Sequence, residues 1–243
     1  NAALTAGFEN VTFQLEPIAA AMSYEKTLLP SDGEQIVFVC DIGGGTSDYA
    51  VVKLSHAKSI QTDRNNDILS TGGIYKAGES FNTSIVTEHL PERFGKGAKW
   101  GADKNREFPI HLVRSLGNWK TLPFLRKENI GSLVVDTEES RKIDVQRLAD
   151  LVNNNWGYRL YSNVDRAKIE LSKSDRAKIK FGLIDLNEEI SKSKFEELIK
   201  PILENMESEI INTLIRADKL PENIDKVILT GGSSLTPAIH NQI

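Results

Sequence analysis

The sequence predicts an α/β fold, a mixed sheet flanked by helices, on three observations. Residues 36–40 are wholly apolar, the mark of a central strand covered on both faces. A three-glycine turn joins that run to a second strand over 49–54, and strands linked so closely pair antiparallel. A strong amphipathic helix over 191–217 leads to a further apolar strand, 226–230.

Taken in order, residues 11–15 alternate like a short strand and run into Glu16-Pro17 and an alanine run. Proline at a first helical position, followed by alanines, starts a helix. Ser31-Asp32-Gly33 reads as a turn, and a third strand is expected between 59 and 70, before Gly72-Gly73. Residues 78–92 read as helical. The stretch 95–137, with glycine, proline, two tryptophans and many charges, reads as an insertion of mixed helix and loop. Helical periodicity returns over 140–174, and a hairpin is expected around 179–186. In the 191–217 helix the apolar stripe is Phe195, Leu198, Ile199, Ile202, Leu203, Met206, Ile210, Ile211 and Leu214, with Ser191 or Ser193 as cap and a kink expected at Pro201. The 226–230 strand reads as buried, and a last helix starts near Pro237.

The 243 residues suffice for one large domain or two small ones. A net charge of −4 argues against a general nucleic-acid binder, which carries a basic face. The single cysteine, Cys40, excludes an internal disulfide, and four scattered histidines give no zinc spacing. No apolar run is long enough for a transmembrane helix and no signal peptide is visible, so neither nucleic acid nor membrane is an expected partner and the expected location is cytoplasmic.

Three local patterns carry chemistry. Asp41-Ile42-Gly43-Gly44-Gly45-Thr46-Ser47-Asp48 puts bare backbone N–H groups and a hydroxyl between two acids. Such a turn can aim several donors at one anion while the carboxylates order the waters of Mg²⁺; a plain glycine hairpin with solvated acids fits the same residues. Gly231-Gly232-Ser233 follows a strand and precedes a helix, a phosphate geometry that is also a common α/β turn. Glu16 opens a helix, where it can orient a water or simply complement the helix dipole. Trp100, Trp119 and Trp156 fit packing within the insertion as well as a partner surface.

Together and in order, these patterns resemble the signatures of DnaK-type heat-shock chaperones. The segments are 15–21, Leu-Glu-Pro-Ile-Ala-Ala-Ala; 41–48; and 229–233, Leu-Thr-Gly-Gly-Ser. Two more lie between the last two: 165–172, Asp-Arg-Ala-Lys-Ile-Glu-Leu-Ser, and 195–198, Phe-Glu-Glu-Leu. Trp119 and the segment 158–160 are most similar to the divergent YegD-type branch.

The resemblance implies an actin-like ATPase lobe with a ribonuclease-H-like mixed sheet and a mostly helical insertion subdomain. Residues 1–29 would end a first lobe and cross over, 30–75 and 176–243 would form the sheet subdomain, and 76–175 the insertion. The rest of the first lobe is expected upstream in the same chain, and the second lobe is expected to be cut at its C-terminal end. ATP or ADP with Mg²⁺ is the implied cofactor. Gly43, Gly44, Gly45 and Thr46 would hold phosphates; Asp41 and Asp48 would act on Mg²⁺ through water; Glu16 and Asp48 would serve catalysis. Gly78, Glu79, Asp165, Lys168, Ser172, Gly231, Gly232 and Ser233 would receive adenosine. Ile169 and Leu235 stand where the family carries arginines that sandwich adenine, which implies weaker or less adenine-selective binding. Activity is expected of the full-length protein, not of this lobe alone: an ATPase that switches a client or partner protein. A small-molecule kinase of the same superfamily and a non-catalytic nucleotide-binding module are the alternatives.

Overall fold

A computed structural model describes residues 2–61, 63–241 and 243. The chain divides into two units, Asn1–Ala77 with Glu204–Leu235 and Gln242–Ile243, and Gly78–Leu203 with Thr236–Asn241.

The first unit is built on a four-stranded sheet. Strands β1 (Gln35–Ile42), β2 (Ser47–Leu54) and β3 (Ile68–Ile74) pair antiparallel, while β8 (Lys226–Thr230) runs parallel to β1. The order across the sheet is β3-β2-β1-β8. The apolar run seen in the sequence is thus an interior strand. One face of β1 and β2, with Val37, Val39, Ala50, Val52 and Leu54, packs on Ile18 and Ala21 of α2 (Glu16–Glu25). The opposite face carries Phe38 and Tyr49, whose rings stack at 6.1 Å. A short helix, α1 (Ala2–Thr5), precedes α2.

At the end of α2, the Glu25 side chain is fully buried. Arg64 holds it with both terminal nitrogens, at 2.6 and 2.8 Å, and the Ser55 N–H donates to it at 3.0 Å. Arg64 also bonds Asp67, which bonds Lys58. A bidentate guanidinium with further donors satisfies a buried carboxylate that would otherwise be prohibitive. This network ties the 55–67 loop to the helix that begins with Glu16.

The second unit is largely helical, with α3 (Gly78–Ser84), α4 (Ile110–Arg114), α5 (Ile130–Asp136), α6 (Lys142–Asn153) and α7 (Gly157–Leu171). Helix α3 continues as a π-helical turn over Ile85–His89. A two-stranded ribbon pairs β4 (Lys99–Trp100) with β5 (Arg106–Glu107), and a hairpin pairs β6 (Arg176–Phe181) with β7 (Leu186–Ser191). The tryptophans pack within the unit: Trp119 meets Tyr158, Trp156 meets Phe181, and Trp100 donates to the Glu107 carbonyl. Helix α8 (Lys192–Arg216) runs on through Pro201, with the Ser191 hydroxyl capping the Lys194 N–H at 3.1 Å; α9 (Pro237–His240) follows β8.

Three expectations change. Residues 11–15 form no strand: their alternation finds no neighbouring ladder among the described residues. The third strand lies later than expected and includes Gly72 and Gly73; of the expected range 59–70, Thr62 lies outside the described residues. Strand β8 is not buried, because it pairs only with β1 among the described residues and Val227 is exposed.

Candidate functional site

The phosphate-type turn is shaped by its strands. Asp41 and Asp48 face each other in the β1–β2 register, one pair back from the turn. The Gly43 N–H donates to the Thr46 carbonyl at 3.0 Å and closes the loop, leaving Gly44 and Gly45 exposed. The Thr46 hydroxyl donates to Asp48 Oδ2 at 2.7 Å. Its single hydrogen is therefore used, and a bound phosphate would draw on the turn's N–H groups or on a rotated hydroxyl.

Glu16, at the start of α2, completes an acidic group. Burial, then the negative charges of Glu16 and Asp48, then a hydrogen bond shared with Glu16, push the Asp41 carboxyl above the ordinary carboxylate value. Among the described residues none of the three forms a salt bridge with lysine or arginine, and no set of three acidic, histidine or cysteine groups makes a ready metal cage. Uncompensated acids without a direct cage suit a cation that keeps its own waters, as Mg²⁺ does.

Glycines frame these acids. Gly231 has φ +83°, and a Cβ there would collide with the Ile42 backbone and lie 2.8 Å from Asp41 Oδ1. Ser234 bonds back to the Gly231 carbonyl at 2.7 Å and holds the turn. Gly232 is exposed and Ser233 half-buried. A Cβ at Gly73 would lie 2.8 Å from Asp48 Oδ1. At Gly72 it would strike Thr213 and Arg216 of α8. Neighbouring side chains occupy the space a Cβ would need at both positions, so the strand carries glycine there. A cavity of about 400 Å³ opens here, lined by Leu15, Glu16, Thr46, Asp48, Gly73 and Tyr75 among others. Gly73 and Tyr75 escaped sequence reasoning; the doubled glycine inside a strand was the available signal.

The predicted adenosine residues fall into both units. Gly231, Gly232 and Ser233 belong to the first, whereas Gly78, Glu79, Asp165, Lys168 and Ser172 belong to the second. In the second, Lys168 is 8% exposed and bonds Asp165 Oδ1 at 2.7 Å and the Gly78 carbonyl at 3.2 Å. Asn82 Nδ2 donates to the same Asp165 oxygen at 3.0 Å. Burial works to raise the Asp165 carboxyl, but the bonds from Lys168 and Asn82 outweigh it and hold it below the usual range. Glu79 is exposed and Ser172 half-buried. Ile169 and Leu235 present exposed aliphatic chains, 56% and 72% open.

The mixed α/β architecture is consistent with the actin-like ATPase fold. The chain belongs to the Hsp70 family: the family model described as Hsp70 protein matches residues 1–120 and 130–243. It is 27% identical to "Chaperone protein dnaK1" of Synechocystis sp. and 26% identical to "Chaperone protein DnaK" from each of two strains of Thermus thermophilus. All of this chain is covered, against 28% of the first relative and 32% of the other two. The chain thus spans about three tenths of the length of the curated relatives it matches. No helix among the described residues is long and apolar enough to cross a membrane.

Proposed function

We propose that this chain is the nucleotide-binding lobe of a chaperone-type ATPase, which binds Mg·ATP and hydrolyses it to switch its conformation on a client or partner protein. The observation that carries the reading is the Asp41–Asp48 pair flanking a glycine turn, its charge uncompensated by a basic side chain among the described residues. Members of the Hsp70 family use ATP or ADP with Mg²⁺. When bound, the ion supplies positive charge that draws phosphate oxygens and orders water. Asp41 and Asp48 would hold it through its waters, and Asp48 with Glu16 would serve the chemistry. The turn Gly43, Gly44, Gly45 and Thr46 would receive phosphate oxygens, with Gly43 N–H closing the loop and the N–H groups of Gly44, Gly45 and Thr46 left to donate, and Glu16 would orient the attacking water. Gly78, Glu79, Asp165, Lys168, Ser172, Gly231, Gly232 and Ser233 are assigned to the nucleoside. A first lobe, upstream in the same chain, supplies the remaining phosphate contacts, and the protein works in the cytoplasm.

The exposed aliphatic chains of Ile169 and Leu235 favour a second reading, a binding module without turnover. Phosphate release from ATP by the full-length protein, with no acceptor present, separates the readings. The ATPase reading predicts release that falls on the order of 100-fold in Glu16→Gln. Release only with an added small-molecule acceptor indicates a kinase, and binding without release indicates the module.

A further inference from the structure

Four elements that bring residues to the acidic site are tied together at their opposite ends by one charge network. Helix α2 starts with Glu16 and ends with Glu25. Strand β1 carries Asp41 at its end and follows Glu34. Strand β2 carries Asp48 at its start and is followed by Ser55, and β3 follows Asp67 and carries Gly73. Arg64 is the hub. Its terminal nitrogens bond both Glu25 oxygens at 2.6 and 2.8 Å, and its Nε bonds Asp67 at 2.7 Å. Lys58 bonds Asp67 at 2.6 Å and Glu34 at 2.8 Å, and the Ser55 N–H donates to Glu25.

Stability alone does not explain this arrangement. The Glu25 side chain is 1% exposed and that of Arg64 10%. Burying such a pair costs about as much in lost hydration as its attraction returns, so two apolar side chains would hold the fold as well. What a bidentate guanidinium adds is direction. Helix α2 otherwise rests through Ile18 and Ala21 on aliphatic side chains of the sheet, a contact that does not fix its place along its own axis. At its other end Leu15 makes no side-chain capping bond and Glu16 is exposed. The axial place of α2 is therefore set at Glu25, where Tyr24 also bonds Gln35 at 3.1 Å. The rigid helix carries that setting over about 14 Å to Glu16.

We infer that Arg64 is a positioning residue for hydrolysis, which acts through Glu25 and the body of α2 to set the reach of Glu16 towards the Asp41–Asp48 pair. This rests on the reading above in which Glu16 orients the attacking water. Glu16 shares a hydrogen bond with Asp41, whereas the glycine turn belongs to β1 and β2. A shift of α2 along its axis therefore moves Glu16 and leaves the turn in place, so turnover responds and binding does not. Misplacing a group by about 1 Å costs up to about 100-fold in rate.

The test is single-turnover phosphate release from Mg·ATP by the full-length protein, with Mg·ADP affinity measured by calorimetry. Arg64→Lys keeps the charge and loses the fork; Glu25→Gln keeps the shape and weakens the pair from the other side, and decides the matter should Arg64→Lys fail to fold. Each is made alone and together with Glu16→Gln. The expected result is release about tenfold slower in each single variant, unchanged ADP affinity, and no further slowing when either change is added to Glu16→Gln. Unchanged release in the folded single variants overturns the inference. So does an equal slowing in the Glu16→Gln background, which marks a merely structural role, or an ADP affinity that falls as far as the rate. Wild type that releases no phosphate, or release indifferent to Glu16→Gln, overturns the reading beneath and the inference with it.

Discussion

Two aspartates in this molecule live under opposite conditions. Asp41 stands among acids, next to Glu16 and across from Asp48, and is pushed towards its neutral form. Asp165 is held by Lys168 and Asn82 and is kept ionised. The difference teaches what each region lacks. The group around Asp41 has no basic partner among the described residues, whereas the group around Asp165 carries its own cation and offers an acceptor. Glu25 marks the far end of this series, fully buried and doubly bonded to Arg64.

The largest effect is expected at that far end. Arg64→Met strands the buried Glu25 carboxylate and should lower stability by about 3–5 kcal/mol, read by urea denaturation. Affinity for nucleotide in the protein that remains folded should be unchanged. Next, Lys168→Met removes the cation from Asp165 and a partner from the Gly78 carbonyl. Stability should fall by about 1–3 kcal/mol, and ADP should bind more weakly at acidic pH than at neutral pH. Equal affinity in the variant at every pH would erase the distinction between the two aspartates.

The pH dependence of stability should differ in sign at the two sites. The folded Asp41 has a raised carboxyl, so the folded state holds its proton more tightly than the unfolded one. Its contribution to stability is therefore lost as the pH rises from the ordinary carboxylate value of 3.8 through the folded value. Asp165 is lowered, and its contribution is present above 3.8 and lost as the pH falls through its folded value. Thermal melts across acidic pH should show Asp41→Asn removing the first slope and Asp165→Asn the second. Mg²⁺ should raise the melting temperature more at neutral than at acidic pH.

The smallest effect is expected at Ile169. Ile169→Arg restores a cationic plane on an exposed position and should tighten adenine nucleotides by about 0.5–2 kcal/mol. No change would mean that this side chain does not meet the base.

What was legible in the sequence was local. The glycine turn, both of its acids and the proline-led start of α2 sit within short segments whose backbone demands are plain from residue type. The bonds between distant segments were not legible. Arg64 finds Glu25 across 39 positions and Asn82 finds Asp165 across 83, and no spacing rule connects them. Gly72 and Gly73 read as a strand's end, since glycine commonly breaks a strand. Here they continue β3, paired with Tyr49 and Asp48 of β2, and Thr213, Arg216 and Asp48 occupy the space a side chain would need. Residues 226–230 read as buried because apolar runs usually are; among the described residues they pair only with β1, and which strands lie beside a run is not written in its composition.

The acids beside the glycine turn are proposed to serve a magnesium-bound phosphate. Calorimetric titration of Mg·ADP into the full-length protein, beside Asp41→Asn, tests it most directly. Binding in wild type should depend on magnesium, and the variant should lose at least about tenfold, as expected when a charged partner is removed. Equal binding by the two proteins, or binding indifferent to magnesium, would contradict it.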